Sequence, residues 1–179
     1  MKKHYGIFLD TLLMFGAFLL LWQIVLGVES YKIGDFADPL VSLYFFSGWV
    51  SIVFLVVSLV IFKPIKKSFG LLALVAALLH SGIFFAIDFN WEFSLILEEL
   101  KSKHYLYFGF LSLILLIVCF ILGNYFHRFK LYYAVYIAVI FALIHFVLIQ
   151  KILTMNYFIV IFVILSILIF KFLRLFKRG

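Results

Sequence analysis

Stretches of about twenty apolar residues, long enough for a helix to cross the ~30 Å hydrocarbon core of a bilayer, follow one another along this chain with only short charged interruptions. Six of them cover about 6–27, 39–62, 70–87, 105–123, 131–149 and 156–170. In lipid a backbone must satisfy its own N–H and C=O groups, so each stretch is read as a helix. The expected fold is an all-α membrane protein, a bundle of six transmembrane helices forming one domain over residues 1–179. Composition agrees. With 68% of residues hydrophobic and 13% charged, a water-soluble domain of this size lacks the polar surface to cover itself.

The net charge of +7 does not point to nucleic acid, because the basic residues lie in short loops between apolar runs rather than along one stripe. Lys2, Lys3, Lys63, Lys66, Lys67, Arg128, Lys130, Lys171, Arg174, Lys177 and Arg178 fall on one side of the six-span arrangement. Lys32, Lys101, Lys103 and Lys151 fall on the other, together with every acid except Asp10. The bias of basic residues toward the cytoplasm then places both termini there. Cys119 is the single cysteine, which excludes an internal disulfide, and no CxxCH site for covalent haem attachment is present. The N-terminal run exceeds the ~7–15 residues of a signal-peptide core and no A-x-A site follows it, so it reads as a retained span.

Between the third and fourth spans lies FNWEFSLILEELKSKH, too polar and too short to cross. Its Trp91, Phe93, Ile96, Leu97 and Leu100 are expected on the outer interface, with Glu92 and Glu99 toward water. A solvated loop helix is the plain reading, and docking of an external partner on the acidic face is the alternative. No Gly/Ser linker, low-complexity tract or fixed-period repeat is evident.

Two of these apolar segments carry a histidine in mid-run, LLALVAALLHSGIFFAI at His80 and LYYAVYIAVIFALIHFVLI at His145. Ionisable residues inside a membrane are rare and mark function more often than structure. With six spans, the third and fifth run in the same direction. His80 lies about 12 Å below the outer boundary, counted from Asp88, and His145 about 9 Å below it, counted from Lys151, at 1.5 Å of rise per residue. Two imidazoles at one depth on parallel helices suit ligation of a single haem iron from both faces. Each tops a stripe of small residues, Ala73, Ala76 and Ala77 below His80, and Ala134, Ala138 and Ala142 below His145. These stripes allow the helices to close again beneath a macrocycle. Phe84 and Phe141, one turn from the histidines, are expected to pack on its edge. The competing interpretation is that each histidine is an interhelical hydrogen-bonding residue. His4 and His104, at span edges, and His127, in a loop, read as solvated; Asp10 reads as snorkelling to the interface.

These residues resemble the MsrQ (YedZ) family, the haem-binding membrane subunits of the bacterial periplasmic methionine sulfoxide reductase system, within the ferric-reductase-like transmembrane group. The resemblance covers roughly residues 34–175 in the same span order. FADPL is similar to the family's outer turn before span two, and FFSGW followed by an apolar run and KPIKK is similar to its second span. SFGLLALVAALLH aligns His80 with the family's haem histidine, and LYYAVYIAVIFALIH aligns His145 with a second ligand. The chain departs from the pattern at Tyr132, where the family carries an additional histidine, at Lys103-His104 in place of an Arg-Pro pair, and after His145, where a tryptophan is missing.

The resemblance implies an electron-transfer subunit in the bacterial inner (cytoplasmic) membrane with one haem b, its iron held by His80 and His145. Electrons would come from the membrane quinone pool, or from FMN or a cytosolic flavin reductase, with Arg128 as the candidate for a flavin phosphate. They would pass to a periplasmic molybdopterin enzyme that reduces methionine sulfoxide, an oxidative lesion of proteins. Two alternatives remain open at this point, a ferric or cupric reductase-like cytochrome and a haem-free small transporter or assembly scaffold.

Overall fold

The computed structural model describes residues 39–61, 63–125, 132–150, 153 and 155–176, and these form six α-helices. They are α1 (Pro39–Val60), α2 (Lys63–Ile87), α3 (Phe93–Ser102), α4 (His104–Tyr125), α5 (Tyr132–Ile149) and α6 (Met155–Phe176). Four of them, α1, α2, α4 and α6, are long and apolar enough to cross a membrane, and α5 is a shorter apolar helix. The expected first span, Asp10, Arg128, His4 and His127 lie outside the described residues.

Burial within the bundle explains only part of this apolarity. Leu72, Leu79, Ile137, Leu148, Phe162 and Ile169 are exposed on the outside of the helices. Apolar residues facing both inward and outward are the pattern of helices solvated by lipid.

The helices pack most closely as two antiparallel hairpins, α1 with α2 and α4 with α5. Small residues let each pair approach. Ala73 of α2 and Ala138 of α5 are both fully buried. Each presents its main-chain carbonyl to a serine hydroxyl on the facing helix, Ser51 at 3.3 Å and Ser112 at 2.9 Å. Interhelical bonds of this kind hold membrane helices where no hydrophobic effect operates between them. Helix α6 adds Val160, Ile164, Ile167 and Leu168 to the shared core formed with Trp49, Val56, Leu59 and Phe146.

Two boundaries and one helix face differ from the sequence expectation; α6 runs on to Phe176 instead of ending at 170. The KPIKK segment, read there as a loop before a span starting at 70, is the first turns of α2. Pro64 falls in the first turn, where its missing N–H has no intrahelical partner to lose, and long lysine stems can reach the interface from a helix. Helix α3 covers Phe93–Ser102 with Ile96 turned into the bundle and buried, while Phe93 and Leu97 stay exposed. Leu100 faces the same way as Ile96, so the apolar face of α3 is divided between the bundle and the exterior instead of lying wholly on the interface. The chain reaches α3 through a reversal at Asn90 and Trp91, both left-handed at φ 46° and 64°. The Trp91 N–H donates to the Phe85 carbonyl at 3.0 Å, which closes the end of α2 in the manner of a helix-terminating motif.

Candidate functional site

His80 and His145 meet. Their ring centres are 6.4 Å apart with the planes 79° to one another, between the two hairpins. A metal bonded to one nitrogen of each of two imidazoles at ~2.0–2.1 Å, the usual metal–imidazole distance, puts the ring centres roughly 6 Å apart. The observed separation fits a shared metal.

The tautomers follow from the hydrogen bonds. His145 Nδ1 lies 2.7 Å from the Tyr105 carbonyl oxygen, which can only accept, so Nδ1 carries the proton. His80 Nδ1 lies 2.9 Å from Ser47 Oγ. The single hydroxyl proton of Ser47 is directed at the carbonyls of Leu43 and Tyr44, at 2.8 and 3.2 Å, so the oxygen accepts from His80. Both imidazoles therefore carry Nδ1–H and leave the Nε2 lone pair free. An imidazole so oriented by a second partner is the usual form of a metal ligand.

Each ring is seated against a glycine of the facing helix. A Cβ at Gly48 would stand 3.3 Å from His80 Cε1, and one at Gly109 would stand 2.8 Å from both Cε1 and Nδ1 of His145. The glycines are required here for close approach.

The rings open into a cavity of about 500 Å³, inside the range of ~300–1,000 Å³ typical of small-molecule and cofactor sites. Its walls are largely aromatic and aliphatic. At one end the Tyr44 hydroxyl donates to Asp88 Oδ1 at 2.8 Å, and among the described residues no Lys or Arg lines it. Trp49 also lines it, and its indole N–H is the buried side-chain group without a hydrogen-bond partner among the described residues. An unsatisfied buried donor costs about 1–3 kcal/mol. Among the described residues no group of three or more His, Cys, Asp or Glu gathers to hold a metal. A site with two imidazole donors suits a metal whose remaining ligands come from a macrocycle rather than from protein.

The site is built twice. YFFSGWVS in α1 and YLYFGFLS in α4 share Tyr-x3-Gly-x2-Ser, while ALVAALLH in α2 and AVIFALIH in α5 share Ala-x3-Ala-Leu-x-His. Matched residues play matched parts: Tyr44 and Tyr105 beside a histidine, Gly48 and Gly109 under it, Ser51 and Ser112 bonded to Ala73 and Ala138. Ala77 and Ala142 line the cavity from equivalent positions. The two hairpins thus repeat one local arrangement around the histidine pair, which the sequence reading did not find.

Of the other expected residues, Phe84 lines the cavity. Phe141 does not; its ring packs against Phe108 at 5.9 Å. The reason is the helix face. The cavity is lined on both sides of the histidines, by Phe84, Phe85, Phe146 and Ile149 toward the C-terminal ends of α2 and α5 and by Ala77 and Ala142 the other way, and at that level of α5 it is Ala142, not Phe141, that faces it. Sequence reasoning missed Ser47, Trp49, Gly109 and the Tyr105 carbonyl. The recurrence of Tyr-x3-Gly-x2-Ser before each histidine helix is the signal that would have found most of them. No protein-family model, no curated protein and no solved structure matches the chain significantly.

Proposed function

We propose that this chain is a b-type haem electron-transfer subunit of a bacterial inner membrane, with His80 and His145 as the two axial ligands. The observation that carries the reading is the pair of imidazoles with centres 6.4 Å apart and both Nδ1 atoms engaged by oxygen partners. A haem iron bound there supplies one-electron redox chemistry. The residues of the chain do the rest. Ser47 and Tyr105 hold the ring orientations and strengthen the imidazoles as donors, Gly48 and Gly109 give the rings their seats, and the aromatic walls exclude water.

The direction of electron flow rests on the resemblance to the MsrQ family and on depth. The proposed donor is a membrane quinol, with flavin as the alternative, and the proposed acceptor is a periplasmic molybdopterin enzyme reducing methionine sulfoxide in oxidised proteins. The histidines lie toward one end of the bundle, and Tyr132 stands where the family has its additional histidine, so one haem is expected. A ferric or cupric reductase-like cytochrome would use the same ligands and differ in its acceptor.

The test is an optical spectrum of the purified full-length protein beside His80→Ala and His145→Ala. A reducible low-spin b-type spectrum, absent from both variants, is expected. A colourless wild-type protein after expression with ample haem would sink the reading and leave a haem-free transporter or scaffold, for which the duplication is a known architectural feature. A neighbouring gene for a secreted molybdopterin reductase would favour the sulfoxide acceptor over metal ions.

A further inference from the structure

The planes of His80 and His145 are crossed, at 79° to one another, and the protein fixes each plane separately. An imidazole bonded to a metal through Nε2 keeps one orientational freedom, rotation about the metal–nitrogen axis. A hydrogen bond from Nδ1, which lies off that axis, restrains it. The Tyr105 carbonyl does this for His145 at 2.7 Å and the Ser47 hydroxyl for His80 at 2.9 Å. The facing glycines supply a second restraint. A Cβ at Gly109 or at Gly48 would meet the same edge of the ring, Cε1 and Nδ1, so each imidazole lies with that edge in a groove that only glycine leaves open.

A metal bonded to a ring nitrogen lies in the plane of that ring. With two imidazoles on opposite sides of one metal, the two planes therefore meet along the line through it, and the angle between the planes is the angle between the ligands seen along that line. Each imidazole donates π density to the iron d orbital perpendicular to its own plane. Parallel rings load one such orbital and separate it in energy from its partner. Crossed rings load both about equally, so the two stay close in energy and share the unpaired electron of the oxidised iron. Axial ligands are among the means by which a protein sets haem electronics, and here the lever is ligand orientation.

We propose that this chain holds its axial imidazoles crossed in the haem-bound state, with Ser47, the Tyr105 carbonyl, Gly48 and Gly109 as positioning groups. The unpaired electron of the oxidised iron is then spread along two perpendicular directions of the macrocycle instead of one, so donor and acceptor are free to approach different edges of the ring. The proposal rests on the haem reading and adds to it how the ligands are turned.

The test is electron paramagnetic resonance of the oxidised full-length protein in nanodiscs at liquid-helium temperature. Crossed ligands give a single asymmetric feature at large g with the other two broadened beyond detection, and that is the expected wild-type spectrum. Gly48→Ala puts a methyl group 3.3 Å from Cε1 of His80. Because the planes already stand near a right angle, turning this ring narrows the crossing, and the large-g feature is expected to shift to lower g. Gly82→Ala, two residues from His80 on α2 but with open space around its new methyl, is expected to leave the signal where it was. Three well-resolved g features from the wild type, or a Gly48→Ala protein that retains haem with an unshifted signal, overturns the proposal. A histidine-dependent low-spin optical spectrum in the same samples keeps the haem reading standing in that event, and its absence ends both.

Discussion

The imidazole of His145 occupies the groove that Gly109 leaves on α4. A methyl group built at Gly109 would stand 2.8 Å from both Cε1 and Nδ1, and that same Nδ1 is 2.7 Å from the carbonyl of Tyr105, one turn earlier on the same helix. A single helix thus fixes both the place of the ring and its tautomer. His80 has the corresponding seat on α1, but at 3.3 Å from a Gly48 methyl, and a side-chain hydroxyl bonds its Nδ1. His145 is the more firmly fixed ring and His80 the more adjustable one.

Gly109→Ala is therefore expected to remove haem far more completely than Gly48→Ala. The new methyl would also stand 3.2 Å from Cγ of His145, an atom near the root of the side chain, so the whole ring must turn and abandon Tyr105. Loss of an outer-shell partner typically costs ~10–100-fold in metal affinity, and loss of the ring position should reach the upper end. Haem-to-protein ratios of the two purified variants decide it. Equal occupancy in both would show that the glycine seats are incidental.

Ser47→Ala should leave haem bound and raise its reduction potential. The Ser47 oxygen accepts the Nδ1 proton of His80, which makes the imidazole a stronger donor and favours the oxidised iron. A tenfold shift between oxidised and reduced affinities corresponds to ~59 mV for one electron, and an upward shift of at most that size is expected in a potentiometric titration. A fall in potential would contradict the tautomer assigned to His80.

The apolar runs and the histidine pair were legible because lipid imposes a length and an apolarity that few other environments demand, and because an imidazole stands out against Leu71–Ile87. The start of α2 was not. Hydropathy registers the charges of Lys63, Lys66 and Lys67 but not the backbone, which continues as helix through them. The duplication was hidden by spacing: Tyr44, Gly48 and Ser51 recur 61 positions later, whereas Ala73, Ala77 and His80 recur 65 positions later. No single period aligns both, and the lipid-facing positions between them need only be apolar. Phe141 was misplaced because distance from a histidine along a helix does not fix which face of the helix lines the cavity. Its counterpart in the first repeat, Ala76, is buried rather than lining.

Ser112→Ala should destabilise the protein more than Ser51→Ala. Ser112 is buried and bonds the Ala138 carbonyl at 2.9 Å, whereas Ser51 is half-buried and 3.3 Å from the Ala73 carbonyl. Interhelical bonds in membranes average about 0.6 kcal/mol with a maximum near 1.7. Ser112→Ala is expected toward the upper part of that range and Ser51→Ala below the average. Unfolding of each variant from mixed micelles by SDS titration, with haem content held equal, measures the difference. A reversed order would mean that the α1–α2 contact, not α4–α5, is the stiffer of the two.

The position of His80 along α2 bears on the electron donor. His80 is 17 residues from Lys63 and 7 from Ile87, the two ends of the helix, or ~25 Å and ~10 Å at 1.5 Å per residue. On the proposed orientation, Lys63, Lys66 and Lys67 lie at the cytoplasmic end by the basic-residue bias. A flavin docked on that face would have to span most of the hydrocarbon core to reach the site, while a quinol dissolved in the bilayer can approach the bundle at any depth. Protein in nanodiscs containing menaquinol or ubiquinol should therefore show rapid reduction of its haem. Soluble flavin reductase supplied without quinone should reduce it at least tenfold more slowly. Reduction by the flavin enzyme alone at the quinol rate would require a relay on the cytoplasmic side and would reject the quinol as the direct donor.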